Sequence, residues 1–353
     1  MFIAERRISR MKKELKIKFV DFYPNFNPQK SVLWHILWER YDVVLSDKPE
    51  WLVYSVFGNE HLNYNNCVKI FYTGENYTPD FNLCDYALGF EYMDFGDRYM
   101  RLPLWLMYGN DVEAMLHKHE HPSLTGKTGF CSFVVSNPHG NEARAQFMDE
   151  LSKYKTVHSG GRWRNNVGGP VADKSAFQKT HKFSIAFENA RHPGYTTEKL
   201  MQSFAAQTIP IYWGDPRVAE TFNTNAFINC NNYPNWESVI ERVKEIDQDD
   251  ALWQKMMETP ALNDPTIVER TGNEVNDFLY HIFDQEPEAA KRFSRDYWTV
   301  KKLKERQREV KAYQRSFRGL FESFYQNHLY SFVRKHAWLW NAIQRRKKAR
   351  HLI

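Results

Sequence analysis

The stretch FSIAFENARHPGYTTEKLMQSFAAQTIPIYWGDP, Phe183 to Pro216, predicts the central part of the fold. Residues 183–187 form an apolar run with the length and composition of a buried strand. A helix is predicted over residues 198–206, and a second apolar strand over residues 208–213. Strand, helix and strand in this order make a βαβ unit. Such a unit implies a parallel sheet whose ligand binds at the carboxyl ends of the strands.

The start of the predicted helix has the features of an anion site. Thr197 is a suitable N-cap, and Glu198 in the first turn suits the positive end of the helix dipole. Free N–H groups at a helix N-terminus favour a phosphate. Lys199 adds a full positive charge there, and Tyr195 adds a hydroxyl donor. The alternative is an ordinary βαβ unit with a well-capped helix that binds nothing.

The rest of the chain alternates between apolar strands and amphipathic helices, which predicts parallel α/β domains. The strands are predicted at residues 17–22, 41–45, 51–57, 67–72 and 130–135, and the helices at 31–40, 141–154, 236–246 and 251–257.

Two loops add candidate chemistry. Glu75 lies in a Gly-containing turn directly after a predicted strand, where parallel sheets build sites, although an exposed loop Glu is the simpler interpretation. Gly160 and Gly161 would let the backbone approach a ligand closely. An arginine beside them, Arg162 or Arg164, offers a bidentate donor for phosphate. A surface turn with solvated arginines is the alternative.

These motifs resemble those of the α-1,3/4-fucosyltransferases of glycosyltransferase family ten, bacterial members above all. The resemblance covers residues 15–285, and its motifs are YTGEN with DFNLCDYALGF (72–90), FEN (187–189), YTTEK (195–199) and IPIYWG (209–214). It implies the GT-B architecture, two Rossmann-like domains facing across a cleft. Three parts are expected: an acceptor-side domain at residues 1–125, a GDP-fucose-binding domain at residues 126–300, and a basic helical tail at residues 301–353.

The resemblance also implies the reaction and its residues. L-Fucose would pass with inversion from GDP-β-L-fucose to O3 of GlcNAc in a Galβ1-4GlcNAc acceptor, or to other acceptors such as lactose or β1-3 chains. Glu75 matches the general base, and Arg164 with Asn165 matches the segment that meets the pyrophosphate. Glu198 would hold the ribose hydroxyls, and Asn189 would lie close to the donor. Lys199, the Tyr195 hydroxyl and the helix N-terminus would meet the phosphates, so no metal or other cofactor is expected.

Three features that could indicate a metal or a disulfide are discounted. Asp247 and Asp249 match an Asp-x-Asp motif but follow a predicted helix, which favours a cap or turn. The alternating histidines of residues 117–121 fit a loop better than a metal site. The four cysteines are scattered, without the spacing of a disulfide framework or of a zinc site.

Charge is unevenly distributed along the chain. Residues 301–353 hold 15 Lys and Arg against 3 Asp and Glu, a formal charge of +12, whereas the first 300 residues carry −7. Within the tail, aromatic and aliphatic residues recur at helical spacing from Tyr313, with a basic cluster at residues 345–350. This pattern predicts an interfacial helix on an anionic membrane. Residues 1–11 lack the apolar core of a signal peptide, and no stretch approaches 18 apolar residues, so a cytoplasmic enzyme held by its tail at the inner face of the membrane is expected. For residues 313–325, packing against the protein body is an equal alternative.

Two other functional classes, a retaining enzyme and a non-catalytic binding protein, would show different sequence patterns. A retaining GT-B enzyme usually carries two Glu residues eight positions apart in its donor domain. Here the residue eight positions after Glu188 is Thr196, so that pattern is absent. A non-catalytic binding protein, for example for nucleic acid, would use the basic tail. The acidic body and the lack of an RNA-binding motif argue against it.

Overall fold

The computed structural model describes residues 12–138 and 140–329, together with Val333 and His336. These residues form two compact units, each built on a parallel sheet. The first unit contains residues up to 89, residues 93–102 and residues 269–312. The second unit contains residues 90–92, 103–268 and 313–329. Two parallel α/β units confirm the predicted fold class.

The sheet of the first unit has the strand order β2-β1-β3-β4-β5-β6, with every neighbouring pair parallel. Its strands are β1 (Glu14–Val20), β2 (Asp42–Leu45), β3 (Trp51–Tyr54), β4 (Val68–Tyr72), β5 (Tyr86–Gly89) and β6 (Tyr99–Arg101). The predictions included the first four and omitted β5 and β6.

The sheet of the second unit has the order β11-β10-β9-β7-β8, again with parallel neighbours. Its strands are β7 (Gly129–Phe133), β8 (Val157–Ser159), β9 (His181–Phe187), β10 (Ile209–Trp213) and β11 (Ile228–Asn229). The last residue of β9, Phe187, lies beside Trp213 at the end of β10. The predicted parallel βαβ unit is therefore confirmed.

Helices connect and cover the strands. They are α1 (Val32–Arg40), α2 (Gly109–Leu116), α3 (Ala143–Ser152), α4 (Lys174–Lys179), α5 (Glu198–Ala205), α6 (Trp236–Gln248), α7 (Asp250–Glu258), α8 (Ile267–Asp284), α9 (Tyr297–Arg315) and α10 (Phe317–Phe324). The start of α1 shows the expected local chemistry, because the Ser31 hydroxyl accepts the N–H of Trp34 at 3.2 Å.

From Phe183 to Phe187, strand β9 is buried at every residue because both of its faces are covered. Phe183, Ile185 and Phe187 belong to a core that also contains Phe147 of α3 and residues of α6 and α7. The intervening Ala186 belongs to a second core with Leu200 and Phe204 of α5. Continuous burial therefore replaces the polar–apolar alternation of a half-exposed strand.

The compact units differ from the predicted boundaries 1–125, 126–300 and 301–353, because residues 269–312 pack in the first unit. The rings of Trp51 in β3 and Phe283 in α8 lie 4.8 Å apart. Asp85, which is fully buried beside β5, pairs with the Arg295 guanidinium at 2.8 Å and accepts the backbone N–H of Arg292 at 2.7 Å. The partners in these contacts are more than 200 residues apart in the sequence, so no local pattern could predict them.

The described part of the predicted tail is helical. Helix α9 begins at Tyr297, α10 follows, and a π-helical turn covers Tyr325–Leu329. The predicted membrane segment from Trp338 to Ile353, with its basic cluster, lies outside the described residues. Within the described part of the chain, none of the helices has both the length and the apolar composition needed to cross a membrane.

Candidate active site

The candidate site begins where β9 ends. Glu188 follows the last residue of β9, and its backbone N–H donates to the carbonyl of Trp213 at 2.8 Å. A Cβ atom on Gly214 would lie 2.4 Å from the Glu188 Cγ. The glycine of the IPIYWG motif is therefore required because the Glu188 side chain passes directly over it.

The Glu188 carboxylate, which is completely buried, occupies the N-terminus of α5. Its Oε1 accepts the backbone N–H of Thr197 at 2.8 Å, and its Oε2 accepts the Thr197 hydroxyl at 2.7 Å. The hydroxyl of Thr197 therefore does not cap the helix as predicted, since it donates to Glu188 instead. At Thr197, the N-terminus of α5 therefore binds the Glu188 carboxylate, whereas the prediction placed a phosphate there.

Lys199 completes this buried charge cluster. Its ammonium lies 2.9 Å from the Glu188 Oε2 and 3.6 Å from the Glu198 Oε1. Burial alone would lower the pKa of Lys199, but the two carboxylates outweigh burial and raise the pKa above its usual value. Lys199 is therefore a cation held in place by two carboxylates.

Glu198, the predicted ribose ligand, is partly exposed, with 27% of its side chain accessible. Burial favours a higher pKa, but the ammonium groups of Lys199 and Lys174 lower the pKa of Glu198 below its usual value. Lys174 also donates to the side-chain carbonyl of Gln202 at 2.7 Å. Sequence analysis missed Lys174, which begins the short helix α4.

A second missed residue is Arg144 of α3, which is fully buried. Its Nη1 donates to the Asn189 side-chain oxygen at 3.0 Å, and its Nη2 donates to the carbonyl of Asn137 at 3.1 Å. Its Nε has no hydrogen-bond partner among the described residues. Burial lowers the pKa of Arg144 to about 10, a value at which the guanidinium remains charged at neutral pH. Arg144 shares the apolar face of its helix with Phe147, Met148 and Leu151. This helical spacing is the sequence feature from which the burial of Arg144 could be predicted.

Arg164, the predicted pyrophosphate ligand, is engaged elsewhere. Its guanidinium forms an ion pair with Asp149 of α3 and lies 5.8 Å from the ring centroid of Trp163. Arg144 contacts the same ring at 5.2 Å. The structure thus brings Arg144, and not Arg164, into hydrogen-bond contact with Asn189. The side chain of Arg162 has no hydrogen-bond or ion-pair partner in the described part of the chain.

The loop before Arg164 is shaped by contacts within the protein. A Cβ atom on Gly161 would lie 1.9 Å from the Val135 carbonyl oxygen, so this glycine allows two backbone segments to approach each other. This contact accounts for the glycine, and the expectation that the loop backbone approaches a ligand stays a prediction. Asn165 donates to the carbonyls of Gly161 and Gly169, both at 2.8 Å, and thereby organises the loop.

Tyr195 is buried with only 2% of its surface exposed, and its ring packs 5.2 Å from that of Phe90. It lies close enough to Arg144 and Lys199 to act electrostatically on both. The structure therefore brings together four of the predicted residues, Asn189, Tyr195, Glu198 and Lys199, and adds Glu188, Arg144 and Lys174.

Glu75 belongs to the first unit. It lies in the loop after β4 as expected, its side chain is exposed, and its backbone N–H donates to the Thr73 hydroxyl at 3.1 Å. Its role as general base stays a prediction.

The discounted motifs have structural roles. The Asp249 side chain accepts the N–H groups of Ala251 and Leu252, both at 3.0 Å, so the predicted cap at α7 is confirmed. His117 forms ion pairs with Glu113 and Glu120 just after α2. Across residues 12–138 and 140–329, no cluster of three or more His, Cys, Asp or Glu side chains has the arrangement of a metal site.

Comparison with known proteins identifies the family. The sequence model described as "Alpha-(1,3)-fucosyltransferase FucT N-terminal domain" matches residues 17–108. The one described as "Glycosyltransferase family 10 (fucosyltransferase) C-term" matches residues 124–259. The chain belongs to glycosyltransferase family 10.

Individual relatives agree with this membership. The Helicobacter pylori "Alpha-(1,3)-fucosyltransferase FucT" is 34% identical over 300 residues, which are 73% of this chain and 63% of that protein. The "4-galactosyl-N-acetylglucosaminide 3-alpha-L-fucosyltransferase 9" of Bos taurus is 32% identical over 125 residues, 34% of each protein. The chain thus spans less than two thirds of the length of either relative.

A solved structure also matches. The crystal structure of an alpha1,3-fucosyltransferase with GDP-fucose is 29% identical in sequence and has a TM-score of 0.65. The match covers 78% of this chain and 94% of that one. The fold of this family 10 member is therefore of the predicted GT-B type.

Proposed function

We propose that the chain transfers L-fucose from GDP-β-L-fucose to O3 of GlcNAc in a Galβ1-4GlcNAc acceptor, with inversion at the anomeric carbon. The matching crystal structure is that of a fucosyltransferase with GDP-fucose, and the name of the Bos taurus relative describes this acceptor and position. Family membership supports fucosyl transfer, and these two relatives support the donor and the acceptor.

The observation that carries the proposal is the buried guanidinium of Arg144 at the carboxyl end of β9. Its hydrogen-bond partners, Asn189 and the carbonyl of Asn137, are uncharged, and its Nε has none among the described residues. The Glu188 carboxylate is not among these partners, and its charge offsets only part of the effect of burial on Arg144. A buried cation without an anionic hydrogen-bond partner is incompletely compensated until an anion binds. The diphosphate of GDP is such an anion, and it would also lie near the ammonium of Lys199.

The reaction needs two kinds of group. The acceptor O3–H bond breaks and its proton passes to the Glu75 carboxylate, while O3 forms a bond to C1 of fucose. The bond from C1 to the β-phosphate oxygen breaks, and its electron pair leaves with GDP. Arg144, Lys199 and the Tyr195 hydroxyl would stabilise the charge that develops on this oxygen, so the proposal requires neither a general acid nor a metal.

The test is incubation with GDP-fucose and three acceptors, N-acetyllactosamine, a Galβ1-3GlcNAc disaccharide and lactose, followed by linkage and anomeric analysis by NMR. We expect an α-1,3-fucoside on N-acetyllactosamine, with activity retained in EDTA. A β-linked product would contradict inversion. Loss of activity in EDTA with recovery in Mn²⁺ would contradict a metal-free reaction. Preference for lactose or the β1-3 chain would support the alternative acceptors.

We also propose that the C-terminal tail holds the protein on an anionic membrane surface. Helix α10 supports this, because Phe317, Leu320, Phe321 and Phe324 expose between 53% and 88% of their surfaces in the described structure. The basic residues that follow in the sequence add electrostatic attraction. A cytoplasmic location at the inner face of the membrane remains part of this proposal.

A further inference from the structure

A groove lies within the first unit, between the loop after β4 and helix α9. Its outer part is a cavity of about 460 Å³ lined by Asn82, Trp298 and Lys302, among others. A smaller inner cavity of about 100 Å³ adjoins it, because Asp80 and Arg306 line both. No residue assigned to the reaction lines this groove.

The walls combine exposed aromatic rings with fixed polar groups. Trp298 exposes 65% of its surface at the outer cavity, and Tyr77 exposes 47% at the inner one. Asp80 accepts the backbone and side-chain N–H groups of Asn82 at 3.0 and 3.1 Å, and lies 3.7 Å from the Arg306 guanidinium. The aromatic faces can pack against the apolar surface of a ligand, and the amide, carboxylate and guanidinium groups can form hydrogen bonds with its hydroxyls.

The inner cavity ends at a buried histidine. The Nδ1 of His61 lies 2.6 Å from the Asp21 carboxylate, and the imidazole stacks on the Tyr54 ring with centroids 4.3 Å apart. In the neutral tautomer that donates from Nδ1 to Asp21, Nε2 is an acceptor. His61 lines the cavity and could therefore accept a hydrogen bond from a hydroxyl group.

The position of the groove suggests what occupies it. Asp80 follows Glu75 by five residues in the same loop, and five residues span at most about 18 Å. An oligosaccharide whose reacting sugar is at Glu75 could therefore reach the groove with sugars further along its chain. We propose that this groove binds the oligosaccharide that carries the acceptor sugar, a few sugar units from the reacting hydroxyl.

This inference rests on the proposed function, and its test separates the two. Transfer is measured with an N-acetyllactosamine disaccharide and with a hexasaccharide of three such units, for the wild type and Trp298→Ala. We expect the variant to raise the KM for the hexasaccharide about tenfold while kcat and the KM for the disaccharide stay within twofold. Trp38→Ala is the matched control, because Trp38 in α1 of the same unit is also more than half exposed but does not line the groove.

Hexasaccharide binding without donor, measured by calorimetry, gives a second readout that does not depend on catalysis. Failure of the wild type to fucosylate either acceptor would contradict the proposed function, whereas binding lost in Trp298→Ala and kept in Trp38→Ala would still support the groove. An equal rise in KM for both acceptors, or equal effects of the two variants, would overturn the groove proposal. Tighter hexasaccharide binding after removal of residues beyond Leu329 would assign the groove to the chain's own C-terminal segment and would also overturn it.

Discussion

The Lys199 ammonium and the Glu188 carboxylate lie 2.9 Å apart at the N-terminus of α5, and the Glu188 side chain is fully buried. This pair explains why an acidic residue directly follows a buried strand. The carboxylate holds Thr197 and Lys199 in place, and Lys199 compensates the charge that burial would otherwise disfavour.

Replacing Glu188 by Gln should therefore destabilise the protein strongly. The change leaves Lys199 buried with one close carboxylate instead of two, and breaking a buried pair costs about 3–5 kcal/mol. The free energy of unfolding from urea titration measures this loss. Glu150→Gln, which removes an exposed pair with Lys153, should cost less than about 1 kcal/mol. Equal losses in the two variants would show that the Glu188 pair has no special structural role.

Arg144 and Arg164 should differ in their effect on GDP binding. Arg144→Ala removes charge-assisted contacts and should cost about 1.5–3 kcal/mol of GDP affinity, roughly 10- to 150-fold. Arg164→Ala should cost much less, because Asp149 already pairs with that guanidinium. Calorimetry with GDP and with guanosine measures both effects. Guanosine binding should be unchanged, and a larger loss of GDP affinity for Arg164→Ala would restore Arg164 as the phosphate ligand.

Glu75→Gln should lower turnover about 10²- to 10⁴-fold while GDP affinity stays nearly unchanged. The amide keeps the size of the side chain but cannot accept the acceptor proton. Steady-state kinetics with N-acetyllactosamine measure the effect. Glu39→Gln, at another exposed carboxylate in the first unit, is the control and should have no effect. Near-normal turnover of Glu75→Gln would remove Glu75 as the base.

Stability should fall in mild acid because of His181. Burial, together with the nearby His158 and Lys127, lowers the pKa of His181, and the hydrogen bond to the Phe177 carbonyl opposes this only in part. The unfolded chain therefore binds a proton at higher pH than the folded chain does. The contribution of His181 is fully present above its unfolded pKa of about 6.5 and is lost as the pH falls toward the folded value.

Urea titrations at pH 7.5, 6.5 and 5.5 test this prediction. The free energy of unfolding should decrease with falling pH, and His181→Gln should show a smaller decrease because its side chain does not titrate. Identical pH dependence in the variant and the wild type would exclude His181 as a source of the acid sensitivity.

Truncation after Gln326 should abolish binding to vesicles that contain anionic lipid and leave transfer to soluble acceptors largely unchanged. The truncation removes the basic cluster, and raised salt should weaken binding of the full chain for the same reason. Cosedimentation with vesicles measures the bound fraction. Neutral vesicles are the control, and equal binding of both chains would exclude the tail as the anchor.

The sequence could predict those parts of the site that lie close together along the chain. The apolar run before Glu188, the helix that begins at Glu198 and the strand ending at Trp213 belong to one βαβ unit of about 30 residues. Their spacing is local, so periodicity and capping preferences are sufficient to place them. The loop position of Glu75 after β4 follows from the same kind of signal.

The contacts that distinguish among candidate residues are not local. Arg144 meets Asn189 across 45 residues, and the prediction from the family resemblance chose Arg164 instead. The Asp85–Arg295 pair crosses 210 residues and brings a late segment into the first unit. The sequence by itself determined the parallel βαβ unit, the family motifs and the charge of the tail, because these depend on neighbouring residues. Only the tertiary structure decided which cation meets Asn189 and which anion lies at Thr197 of α5, because burial and pairing depend on segments that folding brings together.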